Sequence, residues 1–310
     1  TLFRSDNMTE ALDRCVEDGV KEIVVQPTHL MHGAEYDEMN ELLDRYKDKF
    51  EGIAVAEPLL GEVGDDATVI NADKEAVAKA ITAEAVKTAG YDDVAAAAED
   101  GTAFVFMGHG TAHVAKVSYS QMQTTMETLG YTNVFIGTVE GEPEDTSCEA
   151  VIEKVKEAGF TKVVLRPLMV VAGDHANNDM AGEEDSWAAA FKTAGFEVSS
   201  QIIGLGELKE VQDIVVAHAK AAVKKAAVAK TTTCKLTAGT KKMTVAISAK
   251  SGMSGYQYRY ATTKSGLAKA SIKTTTSKKV TVKKLKSKKT YYVQVRTFKK
   301  TATCKIGRAH

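Results

Sequence analysis

Over roughly the first 228 residues, short apolar runs alternate with stretches of helical periodicity. Runs of about five residues rich in Val, Ile, Ala and Phe predict strands at 22–26, 52–56, 103–107, 133–138, 162–166 and 197–203. Apolar positions recurring every three or four residues predict helices over 8–18, 35–49, 74–88, 118–129, 148–158, 182–193 and 208–229. Gly19, Gly90, Gly130, Gly159 and Gly195 each follow a helical run, where a left-handed residue ends a helix. Short strands separated by longer helices predict an α/β fold with a parallel sheet, since each parallel pairing needs a crossover that a helix supplies.

The pattern repeats. Glu22-Ile23-Val24-Val25-Gln26-Pro27, then Gly33 and Glu35, matches Lys162-Val163-Val164-Leu165-Arg166-Pro167, then Gly173 and His175, at a constant offset of 140. Two similar α/β halves follow, 1–95 and 96–229, facing each other across a cleft. Moving Gly108-His109-Gly110-Thr111 back by that offset lands before residue 1. The first half is therefore expected to lack its opening strand and helix. Residues 1–5 and 306–310 read as translated adapter sequence, so the chain is expected to be a fragment.

Charge adds a third segment. The chain carries 40 Lys and Arg against 41 Asp and Glu. Residues 230–310 hold 21 of the basic residues and none of the acidic ones. Such asymmetry marks a domain boundary. The basic segment favours strands at 243–249, 255–262, 279–282 and 290–298, with Tyr256-Gln257-Tyr258-Arg259-Tyr260 alternating faces, so a small all-β sandwich is expected after a linker at 231–233. Its charge favours anionic partners: polymers of a cell envelope first, membrane surfaces, or nucleic acid, the last the weaker reading because no recognised motif is present. No apolar run approaches the ~20 residues of a membrane span. Four cysteines are too few and scattered for a disulfide scaffold or zinc ribbon.

In open parallel sheets, ligands bind beyond the carboxyl ends of the strands. His109, Glu140 and His175 each follow a predicted strand of the second half. Two imidazoles and a carboxylate suit Co²⁺, Ni²⁺, Fe²⁺ or Zn²⁺ better than Mg²⁺ or Ca²⁺. A neutral imidazole also accepts a proton near pH 7. The plainer reading of Gly-His-Gly is a tight turn whose histidine caps a helix or meets an anion. His29, His32 and Glu57 follow strands of the first half and either line the opposite wall or sit on surface loops. His113 reads as helix-start packing or support for the site, and His218 as a helix-face residue. Gln26-Pro27 and Arg166-Pro167 read as strand ends.

Taken in order, these motifs carry a resemblance. Val25 to His29 with Gly33 to Asp37, Met107 to Thr111, Gly137 to Gly141, and Arg166 to Met169 through Gly173 to Ala176 together resemble the anaerobic sirohydrochlorin cobaltochelatase family over about residues 7–229. The resemblance implies insertion of Co²⁺ into a sirohydrochlorin-type tetrapyrrole held between two α/β domains, on the route to cobalamin. It places His109, Glu140 and His175 at the metal, His109 also as proton acceptor, and Glu57 as a cleft carboxylate with proton work. It implies no ATP, in keeping with the lack of a Gly-rich Lys-Ser/Thr phosphate loop. A homo-oligomer is expected. The competing readings are a chelatase for Fe²⁺ or Ni²⁺, and an envelope carrier that binds tetrapyrrole or metal without turnover. Leu285 to Arg296 resembles the late strands of a fibronectin type III-like module of bacterial surface proteins, with Cys234 and Cys304 at its ends as a possible pair. Such a module favours an extracytoplasmic or envelope-held enzyme over a cytoplasmic one.

Overall fold

The protein is described from a computed structural model covering residues 6–229, 233–248 and 255–298. The chain divides into two units, Thr1–Ala222 and Val223–His310. In order, the first unit contains α1 (Met8–Glu17), β1 (Glu22–Val25), α2 (Ala34–Tyr46), β2 (Gly52–Val55), α3 (Ala72–Thr88), α4 (Val94–Glu99) and β3 (Thr102–Gly108). It continues with α5 (Val117–Thr128), β4 (Val134–Thr138), α6 (Cys148–Glu157), β5 (Lys162–Pro167), α7 (Trp187–Thr193), β6 (Glu197–Ser200) and the larger part of α8 (Lys209–Ala229), within which the unit ends. Polar caps set several helix starts: the side chains of Asn7, Asn71, Asp93 and Ser147 each accept an early N–H of the helix that follows.

β1 and β2 form one parallel sheet, and β4-β3-β5-β6 form another. Every residue of β3 and β4 is buried, because helices cover both faces of this sheet. Phe104, Phe106, Val134, Ile136 and Val164 pack on one side with Val77, Ile81 and Ala85 of α3 and Tyr119, Met122 and Met126 of α5. Ala103, Val105, Met107, Val163 and Leu165 pack on the other with Val151 and Val155 of α6 and Trp187 and Phe191 of α7. Met31, Leu59 and Leu60 from loops of the first half join the first of these clusters, which fixes those loops against the second sheet. Leu12, Met39, Leu43, Tyr46 and Phe50 form a smaller core beside β1 and β2.

Boundaries shift where tertiary contacts intervene. The helix expected over 182–193 begins at Trp187, because a single π turn occupies Ala176–Met180. Ser186 then caps α7 by accepting from Ala189 N while donating to Gly182 O. The strand expected over 197–203 ends at Ser200. Gln201 instead turns inward, its amide donating to the Ala85 carbonyl at 3.0 Å. α4 was not expected, since its Ala-rich sequence has no apolar stripe.

The second unit contains β7 (Thr233–Gly239), β8 (Lys242–Ser248), β9 (Gly255–Ala261), the single turn α9 (Gly266–Lys269), β10 (Lys273–Thr275), β11 (Lys279–Lys283) and β12 (Tyr292–Phe298). Antiparallel sheets β11-β8-β7 and β10-β9-β12 result. Met243, Val245, Ile247 and Val282 of one sheet and Tyr256 of the other share a core, flanked by Tyr258, Tyr260, Val293 and Val295. Tyr291, just before β12, accepts the Lys286 N–H at 3.0 Å and pins the turn from β11. Thr233, expected in a linker, opens β7. Residues 230–232 and Cys304 lie outside the described residues, and so does the cysteine pairing expected at Cys304.

Candidate metal centre

The carboxyl ends of β3 and β4 are bonded past the strands themselves. Gly108 pairs with Thr138, Val139 N–H donates to Gly108 O at 3.0 Å, and Glu140 N–H donates to His109 O at 2.9 Å. His109 and Glu140 are thereby held on adjacent turns. On the far side of β3, Leu168 N–H donates to Met107 O at 2.7 Å, and the loop leaving β5 runs on to His175. The His175 ring meets the His109 ring edge to face, with centroids 4.6 Å apart. His109 Nε2 lies 3.9 Å from Glu140 Oε1, and both side chains are about half exposed. His109, distant in sequence from both, thus lies beside His175 on one side and Glu140 on the other at one edge of one sheet.

The flanking glycines have steric causes. A Cβ on Gly108 would sit 2.4 Å from the Tyr119 ring, and one on Gly110 would sit 2.7 Å from Glu140 Cβ. Gly110 also has φ +94, which non-glycine residues avoid. Tyr119 hydroxyl accepts Gly110 N–H at 3.1 Å, and burial raises the pKa of this phenol.

The hydrogen bonds also orient the rings. His109 Nδ1 is 3.0 Å from the Gly110 carbonyl, and His175 Nδ1 is 2.6 Å from Asp179 Oδ2. Both partners only accept, so Nδ1 carries the proton in each ring and the neutral imidazole keeps its lone pair on Nε2. An acidic partner behind a histidine is a common way to set the tautomer of a metal ligand. Asp179, on the π turn, was not singled out in the sequence; its place four residues after His175 was the available signal. Among the described residues, no three His, Cys, Asp or Glu side chains stand close enough together to hold a metal ion. The three expected ligands are neighbours and do not form a closed cage.

Across from them, a crevice is lined by His29, Met31 and Glu35 of the first half and His109, Gly110 and Tyr119 of the second. His32 and Glu57 pair with each other, Nε2 to Oε2 at 3.0 Å. The Tyr36 ring lies edge-on to His32, centroids 4.5 Å apart. Burial, and the nearby Glu57 and Asp37 charges, push the Tyr36 phenol up. His113 Nδ1 accepts Ala115 N–H, capping the turn that leads into α5, and its Nε2 lies 3.3 Å from Asp37 Oδ2 on α2. It ties the two halves beside the crevice.

His218 departs from its reading as a helix-face residue. It is only 9% exposed. Its Nδ1 is 3.1 Å from the Glu57 carbonyl and its Nε2 is 3.1 Å from Asp73 Oδ1, so it braces the loop that carries Glu57. An Ala-rich helix gives no sign of which face will be buried.

Comparison with known proteins places this sheet edge in context. The family model for cobalt chelatase (CbiK) matches residues 3–224. The chain belongs to the cobalt chelatase family. It is 29% identical over 214 residues to the sirohydrochlorin cobaltochelatase of Salmonella typhimurium, covering 69% of this chain and 73% of that protein. It is 29% identical over 223 residues to the sirohydrochlorin cobaltochelatase CbiKC of Nitratidesulfovibrio vulgaris, covering 71% of this chain and 72% of the relative. Its fold is similar to SirB from Bacillus subtilis with Fe3+, with a TM-score of 0.50 and 16% identity over 72% of this chain and 80% of SirB. Most of the basic β unit falls outside the cobalt chelatase match.

Proposed function

We propose that the protein is a sirohydrochlorin cobaltochelatase, inserting Co²⁺ into a sirohydrochlorin-type tetrapyrrole without ATP. The observation that carries the assignment of the site is the contact of His109 with His175 beside Glu140. In the overall step, Co²⁺ bonds to four pyrrole nitrogens and two N–H protons leave. His109 Nε2 accepts a proton from a pyrrole nitrogen. His175 and Glu140 hold the incoming cation as it sheds water. An open cluster of two imidazoles and one carboxylate suits a metal that must be passed on and not kept. The Asp179 carboxylate fixes the tautomer of His175. Glu57, paired with His32 on the other wall, is the second candidate for proton work. Proximity and orientation supply most of the rate, and proton acceptance contributes about 10²–10⁴-fold. The basic β unit serves to hold the enzyme to an anionic envelope polymer.

The test mixes the protein with sirohydrochlorin and Co²⁺ and follows the absorbance change on metalation. His109→Ala is expected to lower the rate by about 10²-fold or more while tetrapyrrole binding persists. Unchanged turnover would remove His109 from the chemistry. Stoichiometric binding by the unaltered protein without turnover would make it a carrier.

A further inference from the structure

The sequence repeat at an offset of 140 reappears as two equivalent pairs of loops. After β1 and β2, Leu59 N–H donates to His29 O at 3.1 Å and Leu60 N–H donates to Leu30 O at 2.9 Å. After β5 and β6, Leu205 N–H donates to Met169 O at 2.9 Å and Gly206 N–H donates to Val170 O at 2.9 Å. His29 thus takes in the first half the place that Met169 takes in the second, and backbone bonds hold it there. Residues of both loop pairs enclose a cavity of about 380 Å³, walled by Pro27, Leu59, Val170 and Val215, with the half-exposed Val216 also in its lining. The polar members of the lining are Thr28, His29 and Gln212, and among the described residues no acidic side chain joins them. The Gln212 amide already donates to the Gly206 carbonyl at 2.9 Å. His29 also lines the crevice that holds His109 and Glu35. Its ring therefore stands where the apolar cavity meets the metal side of the cleft.

The hydrogen bonding of this ring is the reverse of that at the metal. His109 and His175 each place Nδ1 against an acceptor, which leaves a lone pair on Nε2. His29 Nδ1 is buried without a hydrogen-bond partner, and among the described residues none accepts from its Nε2. A neutral imidazole carries one N–H and one lone pair. A buried N–H without an acceptor is rarer than a buried acceptor without a donor, so the proton of the neutral His29 ring sits on Nε2. The edge of the ring away from Nδ1 is a donor where His109 and His175 offer acceptors.

A sirohydrochlorin-type tetrapyrrole is a broad apolar ring edged with acetate and propionate groups. The cavity is too small for the whole macrocycle and has room for one pyrrole-type ring with its side arms. We propose that His29 is a substrate-binding residue whose Nε2–H donates to a carboxylate of the tetrapyrrole, with one ring of the macrocycle lodged in the apolar cavity. This rests on the reading of the cleft as a tetrapyrrole site. The carboxylate belongs on the cavity side of His29, because Glu35 lines the crevice side and would repel it. One edge of the macrocycle is thereby anchored beside the crevice that holds His109.

The experiment titrates the full chain with sirohydrochlorin in the absence of metal, read by fluorescence, and separately measures kcat and KM for Co²⁺ insertion. His29→Leu is expected to raise Kd and KM about tenfold while kcat changes less than about threefold, since a hydrogen bond to a charged group is lost from binding alone. His29→Gln, which restores an N–H donor, is expected to bring Kd and KM back to within about threefold of the unaltered protein. Val216→Asp sets a carboxylate in the cavity lining and is expected to weaken binding about tenfold, against less than about threefold for Val216→Asn. A fall in kcat at unchanged Kd in His29→Leu overturns the donor role and makes the ring a proton acceptor. Equal losses in the Leu and Gln variants, or unchanged binding by Val216→Asp, overturn the proposed seat. Binding without turnover by the unaltered protein removes the chelatase reading alone, and the Kd values of the variants still decide for or against His29. No binding of sirohydrochlorin by the unaltered protein overturns both.

Discussion

At the scale of single residues, the buried charges are where local sequence is least informative. Lys74 is fully buried. Its ammonium donates to the carbonyls of Leu60 and Glu62 at 3.1 and 2.8 Å, clamping the loop after β2 to α3. Burial lowers its pKa to about 8, against a smaller opposing effect of Asp73. The folded state thus loses this proton at lower pH than the unfolded chain, whose lysines titrate near 10.4. Between these two values the unfolded state binds more protons, so the lysine's contribution to stability rises with pH and levels off above the upper one. Urea unfolding of the protein and of Lys74→Met from pH 7 to 10.5 is expected to show the difference shifting in favour of the unaltered protein above pH 8. A pH-independent difference would sink the argument. Arg166 is likewise buried. Its Nη1 donates to Gln201 Oε1 at 2.7 Å, while its Nε and Nη2 have no hydrogen-bond partner among the described residues. Burial lowers its pKa as well. Arg166-Pro167 reads in the sequence as a strand end, and nothing in the adjacent residues says that the guanidinium lies under α3.

At the scale of elements, the parallel strands and covering helices were legible because apolar period and glycine stops survive in any tertiary context. The carboxyl-end turns were legible as positions, and the site candidates came from them. What the turns do to one another was not legible. Gly110 is held at positive φ between Tyr119 and Glu140, and this contact depends on β3 and β4 being neighbours. Gly110→Ala is expected to cost about 1–3 kcal/mol of stability through backbone strain. It is also expected to slow Co²⁺ insertion on the order of 10–100-fold by displacing Glu140 from His109. Wild-type kcat/KM in this variant would show that the placement of these two side chains does not matter. The strands β7 and β10 went unseen for a related reason. Most described positions of β7 and β10 are exposed; β10 has no apolar residue, and the alternation of Cys234, Leu236 and Ala238 in β7 includes a single large apolar side chain, so pairing to a neighbour is what defines them.

At the scale of the whole molecule, the charge split predicted a boundary near residue 230, and the compact units meet at Ala222 and Val223, inside α8. Within the first unit, the loops after β1 and β2 share one apolar cluster with β3, β4 and β5, and α2 is linked to the turn before α5 by the His113–Asp37 pair. That pair is partly solvated, so its energy is screened. Unfolding of His113→Ala, Asp37→Ala and the double variant is expected to give a coupling of about 1 kcal/mol or less. A coupling above about 2 kcal/mol would make this contact, and not the apolar cluster, the main tie between halves.

The sequence by itself determined the alternation of strand and helix, the internal repeat, the segregation of charge and the identity of the residues standing at strand ends. Each of these is carried by neighbours in the chain or by a regular period along it. Only the tertiary structure decided that His175 reaches His109, that Asp179 stands behind it and that His218 braces the Glu57 loop. Those contacts depend on strand order and register, which bring together residues far apart in the chain.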